Sequence, residues 1–398
     1  MKIIQINCVY KEGSTGKIAH DIHKGLLSAG EESIVICGRR AKKEEGVYGI
    51  ASEPYAKFNN LLSRITGVMY GGCYFSTEKI KRIIKKEKPD IVHLHCINGF
   101  FCNIFRLLEF LKKNNIKTVL TLHAEFMYTA NCGHAGECDK WKNGCKNCSE
   151  YKNKLHSIFF NSASYSWEKM HSIYKNWDNL HVIACSNWIA SRASQSGEMA
   201  NRDIRVLHNG VDIDSIFYPR SDAKEKIQEE YKLPKDKKYI LYVAPYFNSI
   251  KGFDLLMDLV RKSKDDSIHF VLVGDEYEGK EKNITVVGKV RNQDKLADLY
   301  SGSDVFVITS RNDNYPTVCL EANTCGTPVI GFDVGGVKET IAEGMGATVE
   351  FSNTDAMLEQ ILNFVKNEPS KDTIEKARYT HSKKRMLDEH IELYRSLL

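Results

Sequence analysis

Residues Ser310–Glu339 read SRNDNYPTVCLEANTCGTPVIGFDVGGVKE. The segment passes from a strand end into a polar loop closed by Pro316. A short helix over Thr317–Thr324, a buried strand in PVIGF and a Gly335-Gly336 turn follow. Strand, loop, helix, strand is the repeating unit of a parallel sheet. In an open α/β sheet the loop past a strand's carboxyl end faces the ligand. Asp313 lies in that loop and Glu321 on the helix, eight positions on. Two carboxylates in one crevice suit an acid–base pair, as in glycosidases. They suit equally the holding of hydroxyl groups of a sugar and a ribose.

The same alternation continues in both directions. Upstream, short β-branched runs predict strands at Lys2–Asn7, Ser33–Cys37, Asp90–His95, Lys117–Leu122, His181–Cys185 and Ile204–Leu207. A second set falls at Tyr239–Val243, Ile268–Gly274, Ile284–Val287, Asp304–Thr309 and Pro328–Phe332. These runs are apolar on both parities, as strands covered on both faces must be. Amphipathic helices separate them. In Ser14–Ala29, for example, Ile18, Ile22 and Leu26 form one stripe, Ser14 or Thr15 is available as cap, and Gly30 as stop. A break near Leu207–Asp236 carries HNGVD, Pro219 and a charged run. With 398 residues, 42% apolar and 27% charged, disorder and fibrous architectures are excluded and two domains are expected. The expected fold is α/β, with two doubly wound Rossmann-like domains facing a central cleft.

The net charge of +5 hides an asymmetry. Residues 1–200 hold 28 Lys/Arg against 18 Asp/Glu, residues 201–398 hold 28 against 33. The first half therefore favours an anionic partner such as a phosphate-bearing ligand, nucleic acid or an anionic lipid surface. KIKRIIKKEK (Lys79–Lys88) taken alone reads as a solvated helix face. The opening MKIIQINCVY is too short and polar for a signal-peptide core. Ile97–Leu111, the longest apolar-rich stretch, is interrupted by Asn98, Asn103, Arg106 and Glu109, so no segment is expected to span a membrane. Twelve cysteines without a secretion signal point to a reducing, cytoplasmic compartment.

Three further motifs bear on chemistry. Glu12-Gly13-Ser14-Thr15-Gly16-Lys17 invites a P-loop reading that fails, because Lys11 stands where glycine and Ile18 where Ser/Thr is needed. A glycine-containing turn at a helix start remains, with Gly13 and Gly16 able to receive an anion or a substrate. His123 ends the run VLTLH and points into the cleft from a strand's carboxyl end, and His93 and His95 end the preceding strand on one common face. Lys251-Gly252, just before a helix, suits a diphosphate. Four cysteines, Cys132, Cys138, Cys145 and Cys148, match a structural zinc knuckle by their count and their closing C-x2-C. The other eight read as core residues.

Asp313-x7-Glu321 with the following PVIGFDVGG resembles the E-x7-E signature of retaining glycosyltransferases of family 4. PDIVHLHC, TLH, NGVD and KG fall in that family's order along the whole chain. The cysteine segment DKWKNGCKNC resembles a bacterial subgroup acting in exopolysaccharide, capsule or O-antigen assembly. The resemblance implies a GT-B fold. Residues 1–207 with 385–398 would form the acceptor-side domain, carrying the cysteine-rich insertion 132–148, and residues 208–384 the donor-side domain. It implies that Glu321 binds the donor ribose, Asp313 the transferred sugar and Lys251 the diphosphate. His123 would lie beside the donor sugar, Gly13 and Gly16 would line phosphates or acceptor, and amides near Thr317 and Val318 would meet the phosphates. The resemblance also implies that catalysis needs no metal cofactor.

The donor would be a UDP- or GDP-sugar. The acceptor would be a glycan or lipid-diphosphate-linked glycan, reached through peripheral contact with the inner membrane, for which Phe100, Phe101, Ile104 and Phe105 offer an apolar contact. Two departures stand out. The first carboxylate is Asp313 rather than Glu. Val243-Ala244-Pro245-Tyr246 lacks the arginine that often precedes the KG lysine, unless Arg291 or Arg311 substitutes. Competing readings are a nucleotide-sugar 2-epimerase of the same fold, a zinc-knuckle nucleic-acid-binding protein, and a non-catalytic sugar-nucleotide sensor. No nucleic-acid partner is expected, because the cysteine segment lacks dense Arg/aromatic interleaving.

Overall fold

The computed structural model describes residues 1–41, 44–279 and 281–398. The chain divides into two compact units, Met1–His208 with Leu387–Leu398, and Asn209–Met386. The first unit carries β1 (Lys2–Asn7), β2 (Glu32–Cys37), β3 (Val47–Gly49), β4 (Ile91–Leu94), β5 (Thr118–Leu122), β6 (Leu180–Ala184) and β7 (Ile204–Val206). They form one sheet in the order β3-β2-β1-β4-β5-β6-β7. The second unit carries β8 (Lys238–Val243), β9 (Ile268–Val273), β10 (Ile284–Gly288), β11 (Val305–Ile308), β12 (Val329–Phe332) and β13 (Gly346–Val349), in the order β10-β9-β8-β11-β12-β13. Among the described residues every strand pair within these sheets is parallel. In each sheet the order reverses beside the first strand of the unit, where the carboxyl ends diverge and open a crevice.

Helices cover the strands through apolar stripes. α1 (Gly13–Ser28) buries Ile18, Ile22 and Leu26. It starts at Gly13 without a side-chain cap, so the expected Ser14 or Thr15 cap is absent. Its end follows the expected glycine stop. Gly30 has φ +77°, its N–H donates to the Leu27 carbonyl and that of Glu31 to the Leu26 carbonyl, a Schellman closure. α2 (Glu53–Thr66) and α3 (Tyr74–Glu87) follow. Next comes α4 (Ile104–Lys113), in which Ile104 and Phe105 are buried, as is Phe101 just before it. The apolar contact expected of these residues is therefore core packing, because α4 turns that face inward. Among the described residues no helix is long and apolar enough to cross a membrane.

Leu387–Leu398 is bound into the first unit by specific contacts. Leu387 lies where a Cβ on Gly25 would stand, 2.7 Å from it. The Tyr394 hydroxyl and His93 Nδ1 share a hydrogen bond of 2.6 Å, and Arg395 reaches Glu31 at 3.1 Å.

Candidate functional site

In the first unit, β1, β4 and β5 are neighbours, and the groups just past their carboxyl ends meet at one edge. Gly13 opens α1 with φ +64°, and a Cβ on Gly16 would touch Val9 at 3.2 Å, so this turn keeps its backbone close to the strand end. His95 and His123 follow β4 and β5, and their rings share a hydrogen bond of 3.2 Å. His95 also contacts Gln5 Oε1 at 3.1 Å. His93, on the same face, is closed off between Tyr394 and Thr121, each at 2.6 Å. Burial, aided by His390, pushes His123 down to about 3. The imidazole is thus neutral near pH 7. It is suited to hydrogen-bonding a hydroxyl group, not to supplying positive charge.

In the second unit the carboxyl ends of β8 and β11 are adjacent and bring Lys251 and Asp313 together, Nζ to Oδ2 at 2.8 Å. Both side chains keep some exposure, 32% and 21%. The backbone is built to hold them. The Lys251 N–H donates to Asn248 Oδ1, and its carbonyl accepts from the Tyr242 and Thr309 hydroxyls. Gly252 has φ +67°, and a Cβ there would lie 1.7 Å from the Thr309 carbonyl. On the other side the Gly336 N–H donates to the Asp313 carbonyl at 2.9 Å. A Cβ on Gly335 would stand 2.1 Å from that same oxygen.

The helix Thr317–Thr324 begins immediately after this loop, with Pro316 preceding it and no side-chain cap. Its first residues, Thr317 and Val318, are half-buried, and helix-start amides favour anions. Glu321 is buried one turn on, and its Oε2 accepts from the Tyr300 hydroxyl at 3.0 Å. Burial, with Glu321 alongside, raises the Tyr300 phenol well above its ordinary value, so it remains a donor. Burial raises the Cys319 thiol on the same helix; Asp313 and Glu321 add to that rise and Lys251 opposes it. Arg311 is engaged elsewhere, with both its terminal nitrogens 2.7 Å from Asp254. Tyr300 and Thr309 were not legible as partners of the site, because no motif links Tyr300 to a glutamate 21 residues later.

The four cysteines line one enclosed cavity of about 30 Å³ together with Trp141. Among the described residues, however, no group of three or more His, Cys, Asp or Glu side chains is placed to hold a metal ion. The expected structural zinc is therefore not supported by this arrangement. Buried Trp141 anchors the insertion instead, packed against Tyr128 and Arg192. The carboxylate of Glu125 binds Arg192 at 2.7 Å and the Ala135 N–H at 2.6 Å.

The family model described as Glycosyltransferase Family 4 matches residues 15–215, about half the chain, and that described as Glycosyl transferases group 1 matches residues 223–381. The chain is 21% identical to the putative colanic acid biosynthesis glycosyl transferase WcaC of Escherichia coli K12, over 100% of both chains. Its fold is similar to sucrose-phosphate synthase from Thermosynechococcus elongatus, with a TM-score of 0.71 at 17% identity over 100% of this chain and 99% of that one. It is also similar to Anabaena HepE in complex with UDP and glucose, with a TM-score of 0.67 at 14% identity over 100% of both. The two parallel-sheet units are those of a GT-B fold, and the chain belongs to glycosyltransferase family 4.

Proposed function

We propose that this enzyme transfers a sugar, with retention, from a nucleoside diphosphate donor to a glycan acceptor during cell-surface polysaccharide biosynthesis. The WcaC likeness supports the pathway class, and the UDP and glucose held by HepE support a nucleotide-sugar donor. The acceptor is a lipid-diphosphate-linked glycan, met at the cytoplasmic face of the membrane. The observation that carries the reading is the Lys251–Asp313 pair at 2.8 Å beside buried Glu321.

As the donor enters, its diphosphate takes the Lys251 ammonium from Asp313. This frees the Asp313 carboxylate to accept hydrogen bonds from the sugar. The Thr317 and Val318 amides meet the phosphates, and Glu321, fixed by Tyr300, accepts from the ribose hydroxyls. Bond cleavage builds negative charge on the leaving phosphate and positive charge at the anomeric carbon. Lys251 and the helix-start amides stabilise the first from fixed positions. In the first unit, taken by itself, neutral His123 is suited to a sugar hydroxyl and the Gly13–Gly16 turn to a phosphate or an acceptor group. No metal cofactor takes part in this scheme.

A thermal-shift panel of UDP-, GDP-, ADP- and CMP-sugars tests the donor, since a ligand of the native state raises its melting temperature. The reading fails if no member of the panel shifts it. Nucleoside diphosphate release that depends on an added acceptor separates transfer from 2-epimerisation, and NMR of the product's anomeric proton reports retention.

A further inference from the structure

We propose that the first unit docks on an anionic phospholipid bilayer through a surface formed by α2 and residues 157–162. α2 is oriented against the usual pattern. Its buried face is Ala56, Asn59 and Ser63. Phe58, Leu61, Leu62 and Ile65, spaced i, i+3, i+4 and i+7, are exposed instead, Phe58 by 63%. At about 100° per residue these two sets lie on opposite sides of the helix.

A second element extends the stripe. The Ile158 N–H donates to the Arg64 carbonyl at 2.8 Å, and Ser162 Oγ to the Thr66 carbonyl at 3.4 Å. Residues 157–162 thus run along the C-terminal end of α2. The approach is close enough that a Cβ on Gly67 would stand 2.4 Å from the Phe160 carbonyl. Phe159 and Phe160 are 65% and 59% exposed. Large apolar side chains gathered on one face, at about 25 cal/mol per Å² left in water, mark an interaction surface.

Charge selects the occupant. Lys57 and Arg64 are exposed on α2 beside the stripe. Glu53, the acid in the first turn of α2, is already held by Arg39 and Arg40. An apolar helix face bordered by cations is suited to the boundary between headgroups and acyl chains of an anionic leaflet. A symmetric pair of copies meeting through this patch would instead set the same cations against each other. The proposal rests on the membrane location given above and uses no residue of the donor site.

The test is co-sedimentation of the full chain with phosphatidylcholine vesicles, with and without phosphatidylglycerol, at low and high salt. Binding should require phosphatidylglycerol and weaken with salt. Two separate pairs, Phe159→Ser with Phe160→Ser and Leu61→Ser with Ile65→Ser, should each cut partitioning about tenfold or more, with the parent's melting temperature and nucleotide release in solution retained. Lys251→Ala should bind vesicles normally while losing transfer, so the two readings fail independently. Equal binding by parent and folded variants, binding indifferent to phosphatidylglycerol, or a concentration-dependent dimer abolished by the same substitutions in place of vesicle binding would each overturn the proposal.

Discussion

Lys251 and Gly252 are neighbours with opposite consequences on substitution. The Lys251–Asp313 pair is partly open to solvent, so it adds about 1 kcal/mol or less to folding. Lys251→Ala should therefore leave the melting curve close to that of the parent. Transfer should fall by about 100-fold or more, the order of loss for one preorganised charge contact. Near-normal turnover, read by nucleoside diphosphate release, would remove Lys251 from the diphosphate role. Gly252→Ala reverses the pattern. The added methyl meets the Thr309 carbonyl at 1.7 Å in a left-handed backbone, and the loop can relieve that only by moving. A loss of about 2–4 kcal/mol is expected in urea unfolding. A midpoint equal to the parent's would show that this turn tolerates a side chain.

Among elements, the returning helix Lys383–Ser396 gives the sharpest prediction. The Tyr394 hydroxyl is buried against His93 at 2.6 Å. Tyr394→Phe leaves that imidazole nitrogen unmatched and should cost about 1–3 kcal/mol, again by urea midpoint. Elements also show what was legible in the sequence. The eleven strands read from apolar runs all form, within a residue or two at their ends, because buried parallel strands leave continuous β-branched runs. Strands β3 and β13 left no such trace. They are edge strands of three and four residues and only partly buried, so nothing forces them to be apolar. Asp313, Lys251 and Glu321 could be singled out because loops after strands carry chemistry. Tyr300, Thr309 and the Arg311–Asp254 pair could not, because their partners are set by tertiary packing. The exposed face of α2 is not legible in the sequence for the converse reason. Its stripe looks like any core-facing helix until its small residues are found pointing inward.

Over the whole molecule, buried histidines set the acid limit of stability. Burial pushes His23 and His171 down to about 4 and His123 to about 3. Unfolded, each titrates near its ordinary value of about 6.5. Below that pH the unfolded chain gains protons that the folded one refuses, so stability falls as pH drops from about 6.5 toward about 4. Each such residue should remove roughly 2 kcal/mol between pH 6.5 and 5. Chemical denaturation across this range should show the decline beginning before the carboxylates titrate. A flat profile down to pH 5 would contradict burial of the neutral rings. The discontinuity of the first unit matters at synthesis. Residues 1–208 leave the ribosome before Leu387–Leu398 exists, and at about 5–20 residues per second the interval lasts roughly 10–40 s. Throughout it the grooves around Gly25 and His93 stay open on the nascent polypeptide, so the lobe made first is completed last.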